Sequence, residues 1–252
     1  MNNKLNIRME DNYKMGFYEE KLYPMTIRTV EMEAETPYLK QVVEGTLPIE
    51  KFKFQVKQNY NYLIEYAKAW AIGLAKCPDY DTMAVWAELL EETIKHEIPF
   101  YRKYWKEKLD ISVEEFESTI MANIKRSYTS HELARSWEGD LAEQVVSLLP
   151  CDIVYWEMGK YLKKRCKLPE GNIYRDWIEF YNKGWFIEVC EKLISLINDL
   201  TKNKTPRELA RLEEIYAVGC NYEYLSWRDM YYKMETWPIE DIFPKKFTTF
   251  KN

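Results

Sequence analysis

From about Pro48 to Ala75 the chain carries Phe52, Val56, Asn59, Leu63, Tyr66, Trp70 and Leu74 at spacings of four, three, four, three, four and four residues. Such spacing is one face of a single long α-helix. Two further stripes repeat the pattern. Leu141, Val145, Leu148, Tyr155, Gly159 and Leu162 share one face, as do Leu212, Tyr216, Gly219, Glu223, Trp227 and Met230. No stretch alternates apolar and polar residues as a half-buried strand would. Glycine is scarce, 8 in 252 residues against an average of roughly 7 %. Few chain breakers among many helix formers predict an all-α chain. We read one helical domain of about eight helices over residues 23–252. Residues 1–22 show no clear period and read as an N-terminal arm or an extra short helix.

Local signals set the expected boundaries. Thr36 before Pro37 suits an N-cap followed by proline at the first helical position. Gly45-Thr46-Leu47-Pro48 repeats the device ahead of the long helix. Cys77-Pro78-Asp79 ends that helix, and a second covers about Thr82 to Leu109, with a kink expected at Pro99. Ser112-Val113-Glu114-Glu115 reads as a capping box. Thr129 or Ser130 is expected to cap a helix reaching Trp137. Gly139 leads into the next helix, which ends near Cys166 and which Pro150 should bend or restart. A short helix is expected over Asn172 to Tyr181, a turn at Asn182-Lys183-Gly184, and a helix after it. Thr205-Pro206-Arg207-Glu208 opens the last long helix, running to about Lys233.

Composition excludes several function classes. The net charge is −5, with no long block of like charge, so a nucleic-acid surface is not expected. No apolar run approaches the roughly 18 residues of a membrane span. The N-terminus lacks the apolar core of a signal peptide. Five scattered cysteines without CxxC or CxH spacing read as reduced and cytoplasmic. Two histidines, His96 and His131, leave little room for a Ser-His-Asp triad or a histidine-rich metal site.

Three residues stand out on the three stripes. Asn59 is an amide on an apolar face, where lack of a partner would cost on the order of 1–3 kcal/mol. Either a neighbouring helix or a ligand satisfies it. Cys151 lies three residues after Leu148 and four before Tyr155, on the buried side. It is either an inert small hydrophobe or a thiol whose ionisation is helped by N–H groups freed at Pro150. Glu223 sits among aromatic residues. It is either paired with a neighbouring helix or, desolvated, suited to moving protons near neutral pH.

The surroundings of these residues resemble the TenA family, also called thiaminase II or aminopyrimidine aminohydrolase. The matching stretches are Gly45-Thr46-Leu47-Pro48-Ile49-Glu50-Lys51-Phe52, Tyr128-Thr129-Ser130-His131, and Leu148-Leu149-Pro150-Cys151 with Tyr155-Trp156-Glu157-Met158-Gly159. The segment with Tyr174, Trp177, Tyr181, Gly184 and Trp185 follows, then Tyr222-Glu223-Tyr224 with Trp227. Together they cover roughly Thr26 to Trp237, in order.

The resemblance implies a haem-oxygenase-like helical fold, a homotetramer, and a thiamine-salvage hydrolase without metal or cofactor. Its implied substrate is 4-amino-5-aminomethyl-2-methylpyrimidine, hydrolysed to the hydroxymethyl pyrimidine and ammonia. Cys151 would add to the pyrimidine ring, and Glu223 would serve as general acid and base. Tyr62, Tyr128, Tyr155 and Tyr181 would line the pocket. Asn59 stands where the family typically has an aspartate that contacts the pyrimidine's amino group and ring nitrogen. Asparagine can make both contacts but carries no charge. Binding should therefore survive better than turnover, and a different amino-substituted heterocycle is the alternative substrate. Tyr101 stands near a position where relatives often have histidine. A di-iron oxygenase on the same fold would need more histidine and carboxylate ligands. A non-enzymatic, DNA-binding regulator finds no basic patch.

Overall fold

The structure, a computed structural model, describes residues 15–165, 168–232 and 237–238; the expected helix end at Cys166 and most of the proposed arm lie outside them. Every regular element among the described residues is helical: α1 (Tyr23–Ala34), α2 (Pro37–Glu44), α3 (Ile49–Lys76), α4 (Tyr80–Glu92), α5 (Ile98–Phe100), α6 (Lys106–Leu109), α7 (Val113–Ser118), α8 (Asn123–Glu138), α9 (Leu141–Arg165), α10 (Arg175–Phe180), α11 (Gly184–Thr201) and α12 (Pro206–Tyr232). A wide π-helical turn, Tyr18–Leu22, leads directly into α1.

The locally encoded caps form as the sequence predicts. Thr36 accepts from the Leu39 N–H with Pro37 in the first turn, and Gly45 closes α2 in the left-handed conformation at φ 74°. Ser112 and Glu115 form the reciprocal capping box of α7. The Thr205 N–H donates to Glu208 Oε2 at 2.8 Å ahead of α12. Two expectations are corrected. Pro48 is the N-cap of α3 and not its first residue, and Thr46 Oγ1 bonds Glu44 instead of the helix start. Thr129 and Ser130 cap nothing: α8 begins seven residues before Ser130, and buried Thr129 bonds the Arg126 carbonyl within the helix.

Pro99 does more than kink its rod. From α4 to α6 the chain stays helical, but π turns at Thr93–Glu97 and Tyr101–Trp105 flank the three residues of α5. Proline lacks the N–H that its own turn requires and crowds the carbonyl one turn earlier; wider turns relieve both. They place Glu97 and Tyr101, four residues apart, on the buried side.

At the centre runs α9, packed against α1, α8, α11 and α12. Val145, Val146, Leu148, Leu149, Ile153 and Val154 are all fully buried, so this helix is apolar almost all round, as a core helix must be. It does not restart at Pro150 but runs through it. A notch in α12 accommodates the proline: a Cβ on Gly219 would lie 2.6 Å from Pro150 Cγ, so only glycine permits this approach. Among the described residues no helix is long and apolar enough to cross a membrane.

Candidate active site

Cys151, on α9 directly after Pro150, is buried. Glu223, on α12 one turn beyond Gly219, is fully buried. Burial pushes the Cys151 thiol well above its ordinary range, and four carboxyls, Asp152, Glu223, Glu97 and Glu132, push it further. The helix therefore supplies no thiolate-stabilising break at Pro150. Burial and these carboxyls hold the thiol in its protonated form.

The two histidines differ in setting. His96 is exposed on the outer side of its rod, 3.9 Å from Glu92. His131 packs near Tyr222, and burial, with Arg135 nearby, lowers its pKa. Among the buried carboxyls, Glu223 is the one that sequence reasoning singles out. Burial raises its pKa; Lys125 and the facing phenol of Tyr128 oppose the rise. Even so, neither Glu223 oxygen nor the Tyr128 hydroxyl reaches a hydrogen-bond partner. Buried polar groups left this way are open to a ligand.

Four tyrosines pack in this interior as two pairs. The Tyr62 and Tyr128 ring centroids are 5.3 Å apart, and those of Tyr155 and Tyr181 are 4.7 Å apart. All four are buried, and the Tyr155 hydroxyl has no partner. Tyr62 donates to Glu132 Oε1 at 2.5 Å. The buried amide of Asn59 donates to the Tyr101 hydroxyl at 2.7 Å. All seven predicted site residues thus lie in the interior, carried on α3, α8, α9 and α12, with Tyr181 at the end of α10.

Five charged residues beside them escape sequence reasoning. Glu33, Lys125 and Glu132 are buried on α1 and α8, where each reads in sequence as an ordinary solvated charge. Lys125 Nζ lies 4.6 Å from the Tyr62 ring centroid and tempers the burial shifts of Glu33, Glu132 and Glu223. Asp152 and Glu97 border a cavity of about 20 Å³, shared with Tyr66, Thr93, Trp70 and Phe186. That is room for about one water. Tyr66 donates to Asp152. Burial raises Asp152 to about 7 and Glu97 to about 8, the latter with help from Asp152's charge. Asp152 carried a usable signal, a carboxylate in the apolar run Leu148 to Tyr155. No group of three or more His, Cys, Asp or Glu among the described residues is arranged to hold a metal ion.

A helical bundle enclosing a thiol, carboxyls and phenols, with unsatisfied polar atoms around them, defines a small-molecule enzyme of the all-α class. The chain belongs to the TENA/THI-4/PQQC family, whose model matches residues 34–234. It is 34 % identical over 201 residues to the aminopyrimidine aminohydrolase of Halalkalibacterium halodurans, covering 80 % of this chain and 89 % of that one. The Bacillus subtilis aminopyrimidine aminohydrolase is also 34 % identical over 201 residues, covering 80 % and 84 %. A TenA homologue from P. horikoshii superposes with a TM-score of 0.76 at 28 % identity, covering 86 % of this chain and 99 % of that one.

Proposed function

We propose that this enzyme hydrolyses the aminomethyl, or thiazolium, substituent from 4-amino-2-methylpyrimidine compounds in thiamine salvage, using Cys151 as nucleophile and Glu223 as general acid and base. The observation that carries this reading is the burial of the Cys151 thiol and of an unpartnered Glu223 carboxyl in one interior with four tyrosines, in a chain similar to aminopyrimidine aminohydrolases. In the first step Glu223, as carboxylate, takes the thiol proton while sulfur bonds to the ring carbon beside the one bearing the methylene. The added electron pair expels the amine from the methylene, and Glu223 returns the proton to it as ammonia forms. Water then adds to the methylene, the sulfur–carbon bond breaks, and the thiol regains its proton. The net change is aminomethyl plus water to hydroxymethyl plus ammonia.

Tyr62, Tyr128, Tyr155 and Tyr181 stack the ring or donate to it in this reading. Asn59 accepts from the ring's amino group and donates to its unprotonated nitrogen. The reading includes a homotetramer in the cytoplasm, tested by sedimentation and by cell fractionation.

A second substrate, another amino-substituted heterocycle, is favoured by one specific contact. Asn59 and Tyr101, both noted as departures from the family pattern, are bonded to each other. The pair is a neutral substitute for a charged contact and suits a ring of different donor pattern. Ammonia release from 4-amino-5-aminomethyl-2-methylpyrimidine tests both readings. Turnover that vanishes in Cys151→Ala supports the first. Absence of turnover in the native protein and in Asn59→Asp, both folded, sends the assignment to the second.

A further inference from the structure

Asp152 follows Cys151 and lies about 100° further round α9. It borders the cavity of about 20 Å³ that α9 encloses with α3, α11 and the rod running from α4 into the π turn at Thr93–Glu97. The rod brings Glu97 to the same cavity. Both carboxyls are more than nine-tenths buried, Asp152 at 6 % exposure and Glu97 at 9 %. Asp152 accepts one hydrogen bond, from the Tyr66 hydroxyl to Oδ2. The Tyr66 ring in turn stacks at 5.8 Å on that of Tyr62, in the interior that holds Cys151. Asp152 Oδ1 and the whole carboxyl of Glu97 meet no hydrogen-bond donor among the described residues. These acceptors border a space for about one occupant of water's size.

The oxygens call for a hydrogen-bond donor, and their charge calls for a cation. No Lys, Arg or His among the described residues lines the cavity. A hard metal ion takes roughly six or more oxygen ligands, and no group of three or more His, Cys, Asp or Glu among the described residues is arranged to hold one. Ammonium needs fewer. It is close to water in size, every one of its N–H bonds donates, and aromatic rings such as Trp70 and Phe186 suit the rest of its charge. Thr93 donates to the Leu89 carbonyl at 3.3 Å and keeps oxygen lone pairs for a further donor. The half-buried Glu92, its side chain 29 % exposed, lies on the same wall and leads to solvent. The neighbouring titratable groups are neutral. The buried Cys190 thiol of α11 donates to the Asp152 carbonyl at 3.8 Å, and burial keeps the phenols of Tyr66, Tyr101 and Tyr181 protonated.

We propose that the cavity between Glu97 and Asp152 is a binding site for one ammonium ion and receives the ammonia that the hydrolysis sets free. Burial, with Asp152's charge, holds Glu97 at about 8, and burial holds Asp152 at about 7, so protons occupy the place of a cation near neutrality. Ammonia takes such a proton: the carboxyl O–H bond breaks as a new N–H bond forms, and the ion stays beside the carboxylate it has made. The product role rests on the hydrolase reading above; the ammonium site does not.

The test is the Tm of the full chain in ammonium chloride at about pH 8, against sodium, potassium and tetramethylammonium chlorides at equal ionic strength. A carboxyl raised by folding contributes stability that is full below its unfolded value and is lost as pH climbs through the folded one. A bound cation returns part of that loss. At about ten times its dissociation constant, ammonium should raise Tm by about 3 °C over sodium. Tetramethylammonium, larger and without N–H bonds, should add nothing. At about pH 5 both carboxyls keep their protons and the ammonium shift should vanish. Glu97→Gln and Asp152→Asn should each abolish it. An equal shift from sodium, one that survives both substitutions, or one that persists at about pH 5 overturns the site. An equal shift from potassium overturns the ammonium assignment. Should a variant fold poorly, the ion selectivity and pH dependence of the native chain decide. The second readout is formation of the hydroxymethyl pyrimidine. Added ammonium should inhibit it where sodium does not, and Glu97→Gln should weaken that inhibition by about fivefold or more. Inhibition equal in both proteins overturns the product role. A selective Tm shift in a protein that turns over no aminopyrimidine supports the site and tells against the hydrolase reading. Turnover without a shift overturns the site and leaves that reading standing.

Discussion

Glu33, Glu132 and Glu223 gather about the ammonium of Lys125, whereas the charges acting on Glu97 and Asp152 are other carboxylates. Both groups bear on Cys151. The first group comes from α1, α8 and α12 and carries oxygens with no partner, so it has capacity to spare for a substrate. The second is tied to Tyr66 and to a cavity the size of a water molecule, and its members titrate within the neutral range. Lys125 tempers, without undoing, the rise that burial gives the first group, whereas burial and neighbouring carboxylates leave Asp152 at about 7 and Glu97 at about 8.

The largest expected effects fall on the first group. Glu223→Gln should lower kcat for ammonia release by about 10²–10⁴-fold while the fold persists. Activity left untouched would move the base to the second group and invert the contrast. Lys125→Met should destabilise the protein by about 3–5 kcal/mol at about pH 8, measured by denaturant unfolding, because buried carboxylates lose their counter-charge. The loss should shrink toward about pH 5, where those groups are protonated.

The second group should respond with the opposite sign. Asp152 near 7, against an ordinary 3.8, costs the fold at most ~4 kcal/mol at about pH 8. Asp152→Asn should recover part of that, keep the Tyr66 bond, and stabilise the protein only as pH rises through the neutral range. The same variant should speed alkylation of the Cys151 peptide, followed by mass spectrometry, by on the order of tenfold above neutral pH, since a negative neighbour of the thiolate is gone. The smallest effect belongs to a site remote from both groups. Ser112→Ala removes an exposed cap and should cost about 1 kcal/mol without altering kcat.

What the sequence revealed divides along the range of the forces involved. Caps at Thr36, Ser112 and Thr205 are settled within four residues and could be read directly. The stripes of α3, α9 and α12 were equally plain, because burial repeats with the helical turn, and they led to Asn59, Cys151 and Glu223. Thr129 and Ser130 misled because hydroxyl residues favour caps, yet α8 buries Thr129 in its middle. Glu33, Lys125 and Glu132 could not be picked out. A charge on an amphipathic helix is normally solvated, and only the convergence of α1, α8 and α12 takes these out of water. Tyr101, a departure with no meaning in one dimension, acquires one as the partner of Asn59 once two helices meet.

The seat of Pro150 against Gly219 works as a gauge block. Cys151 is the residue after the one, and Glu223 lies one turn beyond the other, so the gap between thiol and carboxyl is metered by a ring resting in a missing side chain. Such a stop frees the rest of the wall to vary. Residues elsewhere on the wall can change without moving the α9 and α12 backbones from this contact. A single methyl group at position 219 would cost more than any of those changes, because it would shift the scale on which all of them are measured.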